Sequence, residues 1–394
     1  MHGPRFVMGP GSPSRQKRGG DAAPDRDEPI DRSGRRALRR WPAVANFGGI
    51  DLGGTKIQTV IVDGGHRVLG EARVPTPTTG GPKDVAAQMA DAMRQAATAA
   101  GVEVSSLEGI GVGSPGVVED GTVTSARNLP GWEGSFPLAA ELERELGPEV
   151  KIGNDVQVAT AAEFHLGAGR PFGSLLGVFW GTGVGGAVIL DGGTWHGRGG
   201  AGEIGHMVVV TDGARCTCGR LGCMEAYAGR AAMERHVQKL VEKGEHTDLF
   251  KIAEEHGHPR LTSGIWSRAL EKKDKLAEKM IERAIGALGS GVASAVNLLD
   301  VEAVIIGGGL GVRLGPSGAK RIAQAMQPHL FIDQHPPHVE VAQLGDLGGA
   351  IGASLLVAPA PESAPAAAGT RGTPAPAKAT ARSASPASAS AASA

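Results

Sequence analysis

The three cysteines of this chain fall within eight residues, Cys216-Thr217-Cys218-Gly219-Arg220-Leu221-Gly222-Cys223. A histidine, His206, lies shortly upstream in Gly202-Glu203-Ile204-Gly205-His206. Three soft thiolates and one imidazole make the closed tetrahedral set of a structural zinc site. Glycines inside the C-x-C-x4-C spacing suit a tight knuckle around an ion. The alternative is a disulfide plus one free thiol, in which a Cys216–Cys218 bridge would be strained. Glu203 and Glu225 flank the cluster. A metal there would fix polar groups beside it.

Two glycine-rich turns offer a second kind of chemistry. Gly53-Gly54-Thr55-Lys56 follows Asp51, and Gly181-Thr182-Gly183-Val184-Gly185-Gly186 follows an apolar run. Glycine backbone approaches phosphate oxygens closely. Each turn continues into a strand, whereas a P-loop or a dinucleotide fingerprint opens a helix. Either turn alone reads more readily as a plain hairpin; their recurrence after matched strands lifts the phosphate reading. Asn154-Asp155 stands between a strand and a helix, the position of a helix cap and also of a cleft-facing base.

Strand-like runs cover 46–51, 57–63, 67–74, 109–113 and 150–153, with helices over 84–100, 137–146 and 156–167. A hairpin is expected at Glu119-Asp120-Gly121. The pattern then restarts, with strands at 175–180, 187–190, 301–306 and 339–343 and helices at 319–326 and 348–356. Gly307-Gly308-Gly309 reads as a turn ending a strand. Two halves of βββαβα type facing a cleft make an α/β architecture. The charged stretch 229–283 reads as an exposed helical elaboration, with packing of Leu240, Leu249, Phe250 and Trp266 at a subunit contact as the alternative.

With 394 residues, 41% of them hydrophobic, the chain is long enough for two domains and a sizeable core. A net charge of −1 argues against a nucleic-acid or membrane field. Clustered thiols point to a reducing cytoplasm, and no apolar run has the length of a membrane span. Residues 1–45 are rich in Arg, Gly and Pro, and 358–394 in Ala, Ser and Pro; both are expected to be disordered.

Taken in order, Asp51-Leu52-Gly53-Gly54-Thr55-Lys56, Gly153-Asn154-Asp155, Gly181 to Gly186, Gly202 to His206, Cys216 to Glu225 and Gly307-Gly308-Gly309 resemble the ROK family. Within it, the body 46–357 is most similar to bacterial ATP-dependent glucokinases. The resemblance implies a two-domain, actin-like ATPase fold with an interdomain cleft. Its N-terminal domain would be 46–155, with 345–357 returning to it. Its C-terminal domain would be 156–344, carrying the zinc knuckle. It implies ATP and a hexose as ligands, with Asp155 as general base. Asn128, Asn154, Asp155, Glu203, His206 and Glu225 would contact the sugar. Asp51, Gly53, Gly54, Thr55, Lys56, Gly181, Thr182, Gly183, Gly185, Gly307, Gly308 and Gly309 would contact ATP. Asp51 would act through Mg2+, and His206, Cys216, Cys218 and Cys223 would hold Zn2+. A homodimer or homotetramer is expected, with no nucleic-acid or membrane partner. The alternatives are an N-acetylhexosamine or other hexose kinase, a polyphosphate donor, and a sugar-responsive regulator of the same family. For the regulator, 1–45 is too short for a helix-turn-helix.

Overall fold

The computed structural model describes residues 45–126 and 129–359. The expected disordered leader and tail lie outside these residues, apart from Ala45, Ala358 and Pro359, and so does Asn128.

Alternating β-branched and apolar residues build the first sheet. Its strands are β1 (Asn46–Leu52), β2 (Lys56–Asp63), β3 (Val68–Pro75) and β4 (Ile110–Ser114). A small meander follows, β5 (Val117–Glu119), β6 (Thr122–Thr124) and β7 (Ser135–Phe136), before β8 (Val150–Asn154) completes the sheet. The sheet order is β3-β2-β1-β4-β8, with β1, β4 and β8 parallel. The β5–β6 turn places Asp120 and Gly121 at φ 46° and 73°. That left-handed pair is the turn that matches strand twist.

The second sheet repeats the plan. It contains β9 (Leu175–Trp180), β10 (Val184–Leu190), β11 (Gly193–Thr194), β12 (Ala303–Gly307) and β13 (His338–Val341), ordered β11-β10-β9-β12-β13. Here β9, β12 and β13 are parallel. In both sheets a tight antiparallel pair, β1–β2 or β9–β10, carries a glycine turn.

Helices close the two cores. On the first sheet lie α1 (Pro82–Ala100), whose Met89 and Met93 are fully buried, and α2 (Leu138–Leu146). Next comes α3 (Asp155–Leu166). The second core gathers α4 (Glu225–Ala228), α5 (Arg230–Val241), α6 (Leu249–Glu255), α7 (Ser263–Glu271), the long α8 (Lys275–Leu299) and α9 (Gly308–Met326). The last helix, α10 (Gly348–Ser354), returns to the first sheet. Among the described residues no helix is long and apolar enough to cross a membrane.

Two expectations need correction. The 229–283 stretch is not an exposed elaboration: Leu249 and Trp266 are fully buried in the second core. Its charges occupy the outward faces of short helices whose inward faces are apolar. The triple glycine is not a turn alone, because α9 begins at Gly308, directly after β12. The helix is interrupted at Gly315, with φ 59°, just before Pro316. That break left only the segment beyond it readable as a helix.

Helix α10 lies against the first sheet at backbone distance. A Cβ on Gly49 would overlap the carbonyl oxygen of Ala350, and one on Gly111 that of Ala353. Backbone cannot yield as a flexible side chain does. Gly111→Ala is therefore expected to cost about 3 kcal/mol, the upper part of the overpacking range. A urea-unfolding midpoint equal to wild type would contradict this contact.

Candidate active site

The carboxyl ends of the parallel strands of both sheets open on one cleft of about 860 Å3. Such ends are where open α/β sheets receive ligands. Asp51, Gly53, Gly54, Thr55 and Lys56 line it from the β1–β2 turn. Gly181, Thr182, Gly183 and Gly185 line it from the β9–β10 turn, with Gly308 and Gly309 from the start of α9. Asn154, Asp155, Glu203, His206 and Glu225 complete the wall. Of the described residues expected to contact sugar or ATP, Gly307 alone does not reach the cleft; it is buried at the end of β12.

Each glycine turn is tied back to the body. In the first, the Gly53 amide donates to the Lys56 carbonyl at 3.0 Å, and Thr76 Oγ1 donates to the Gly53 carbonyl at 2.6 Å. In the second, the first amides of α5 bind outward carbonyls, Arg230 N to Gly181 O at 3.1 Å and Ala231 N to Thr182 O at 3.0 Å. Arg230 also donates to Thr182 Oγ1 and Ser263 Oγ. The carbonyls are thus engaged on the body side, and glycine backbone faces the cleft.

Asn154 and Asp155 divide two roles that the sequence left open. Asn154 is the cap of α3: its Oδ1 accepts from the Val156 and Gln157 amides at 3.1 and 3.2 Å. Asp155, in the first turn, faces the cleft and accepts from the Val156 amide at 2.9 Å. Burial pushes its carboxyl up to about 6; the Val156 hydrogen bond opposes this, and the negative Glu203 adds to it. Asp51 is also pushed up to about 6, by burial first and by the charge of Asp155, while Lys56 pulls it down. Both remain mostly ionised at neutral pH, close to the best range for a base.

The four ligand atoms of His206, Cys216, Cys218 and Cys223 all lie within 4.8 Å of one another. The Cys218 and Cys223 sulfurs are 3.7 Å apart, and Cys216 Sγ is 3.8 Å from His206 Nδ1. A tetrahedron with metal–sulfur bonds of ~2.3 Å has edges of ~3.8 Å, so the set fits a metal of that kind. All three cysteines are free thiols in this structure. His206 turns Nδ1 to the cluster and Nε2 toward Glu203, 4.0 Å away. Glu225 couples the cluster to the second turn. One oxygen accepts from the Val184 amide at 3.0 Å, and the other from Thr217 Oγ1 at 3.2 Å and the Cys216 thiol at 3.7 Å.

The cleft holds residues that the sequence did not single out. Asp346 pairs with Lys56 and Arg73, each at 3.7 Å. Gly349 sits against Asp51, so that a Cβ there would come within 2.7 Å of the carboxyl carbon. Glu163 lines the floor and Arg313 the α9 side. The run Gly348-Gly349 opening a small-residue helix was the available signal for this wall. Nothing in residue type marked Asp346 or Glu163.

Duplicated sheets around a cleft with paired glycine turns define an actin-like, ROK-type sugar kinase fold. Residues 47–360 match the ROK family, and the chain belongs to that family. It is 32% identical over 328 residues to a glucokinase of Halalkalibacterium halodurans, covering 81% of this chain and 95% of that protein. It is 33% identical over 318 residues to an N-acetylgalactosamine kinase of Shewanella, covering 78% and 95%. A ROK glucokinase of Streptomyces griseus, solved with glucose and AMPPNP, superposes with a TM-score of 0.68 at 30% identity, covering 79% of this chain and 99% of that one.

Proposed function

We propose that this protein is a cytoplasmic, ATP-dependent hexose kinase that converts glucose to glucose 6-phosphate. The observation that carries the reading is the meeting of Asp155, the two glycine turns and the Glu203–His206–Glu225 wall on one cleft. The triphosphate would lie between the turns. Asp51 would meet its hydrated Mg2+, a hard ion suited to carboxylate and water. Asn154, Glu203, His206 and Glu225 would hold the sugar hydroxyls. Asp155 would accept the 6-hydroxyl proton as the oxygen–phosphorus bond forms and the bond to ADP breaks. Lobe closure would exclude water from that transfer.

Zinc is the metal we assign to His206, Cys216, Cys218 and Cys223. When bound, it fixes the His206 tautomer, so that Nε2 is the nitrogen offered to the sugar.

The test is ADP release with Mg2+-ATP and a panel of glucose, mannose, fructose, N-acetylglucosamine and N-acetylmannosamine. Dominant turnover of glucose supports the reading. Dominant turnover of an acetamido sugar moves the assignment to an N-acetylhexosamine kinase, and turnover with polyphosphate alone replaces the donor.

The carboxyl shifts give a pH dependence. The active form needs Asp155 and Asp51 ionised, and both sit near 6 rather than 3.8. Activity is therefore expected to hold above neutrality and to fall as pH drops through about 6 in a kcat/KM profile. A flat profile down to pH 5 contradicts it. Stability runs the opposite way. The folded chain binds these protons more tightly, so their stabilising contribution is complete below about 3.8 and lost as pH rises through about 6.

A further inference from the structure

Glu163 is an acidic residue only 3% exposed, on the same face of α3 as Asp155, two turns further on. Among the described residues no side-chain cation pairs with it. Its carboxylate instead accepts three backbone amides. Ala168 N and Gln343 N donate to Oε2, each at 3.0 Å, and Leu344 N donates to Oε1 at 2.8 Å. The first donor lies just past the end of α3. The other two belong to the segment leading from β13 to α10. A buried carboxylate is costly unless such donors surround it, so this arrangement fixes both segments together.

Those segments are crossings between the sheets. Helix α3 leaves β8 of the first sheet, and its Thr160 abuts Gly177 of β9 in the second. The 342–347 segment leaves β13 of the second sheet and enters α10 on the first. Asp155 stands at the start of one crossing. The other ends in Gly349, which packs on Asp51. Helices α3 and α10 also meet at backbone distance, where a Cβ on Gly352 would overlap the Val158 carbonyl.

We propose that Glu163 is a positioning residue. It clamps the two crossings and so sets where Asp155 stands relative to Asp51 and the glycine turn beside it. The catalytic part of this inference rests on the kinase reading above; the clamp itself does not.

The experiment compares full-length wild type with Glu163→Gln. The amide group keeps the size of the side chain but loses the charge and one acceptor oxygen. Hydrogen–deuterium exchange is read at the Gln343 and Leu344 amides, and kcat and KM are measured across pH. The expected result is at least ten-fold faster exchange at those two amides. In addition, kcat should fall at least ten-fold, with sugar KM within about two-fold and the acid limb displaced. Should Glu163→Gln not fold, Gln343→Pro removes one donor from the other side and is expected to lower kcat with the same KM pattern. Unchanged exchange overturns the clamp. A lower melting temperature with kcat and the acid limb unaltered overturns the positioning role and leaves a structural one. Wild type that releases no ADP with any hexose fails the kinase reading, while the exchange arm still decides the clamp.

Discussion

Asp155→Asn is expected to lower kcat by about 10²- to 10⁴-fold, the usual worth of a positioned general base, with sugar affinity nearly unchanged. The fold should survive, because Asn154 rather than Asp155 caps α3. An asparagine oxygen can still accept from the Val156 amide, as Asp155 does at 2.9 Å. What the variant cannot do is take a proton. Its residual activity should also lose the part of the acid limb that belongs to Asp155, pushed up to about 6 in the wild type. Steady-state turnover with calorimetric sugar titration separates the two effects. Turnover within ten-fold of wild type would remove Asp155 from the base role, and loss of sugar binding in step with turnover would make it a binding group.

Removing the proposed zinc should damage the site from its supporting side. Cys223→Ser is expected to abolish stoichiometric zinc, lower the melting temperature and raise the sugar KM by about ten-fold or more, the range seen when groups behind a site are lost. The route is short. His206 and Glu203 line the cleft next to the cluster, and Glu225 holds the Val184 amide of the second turn while touching Cys216 and Thr217. Loss of the knuckle would therefore loosen the proposed sugar wall and the second glycine turn together. Elemental analysis of the purified chain and kinetics of the variant decide this. Full zinc-free activity with an unaltered KM would reduce the cluster to a bystander.

Much of this architecture was legible in the residues. The two hairpins with glycine turns stood out because alternating apolar and β-branched residues flank glycines that no helix tolerates well. The cysteine cluster was legible because its ligands are close in sequence. What hid was set by packing. The first turns of α9 contain Gly308, Gly309 and Gly311, poor helix formers, and the helix forms there because Leu310 is buried against the second sheet. The stretch 229–283 was misread because its charges outnumber the apolar residues that it buries. Glu163 was silent for a different reason: its partners at Gln343 and Leu344 are backbone amides 180 and 181 residues away, which no side-chain pattern records.

The close seating of α10 has a consequence for synthesis on the ribosome. Residues 46–154 supply every strand of the first sheet, yet the helix that covers Gly49 and Gly111 is made only at 348–354. The first-made half therefore waits with the α10-covered strip of one face bare while nearly two hundred residues are added. The second sheet is complete by Val341, before that helix exists. Completion thus reverses the order of translation. A pause or truncation before residue 348 strands the amino-terminal sheet with its apolar face open to the wrong partners.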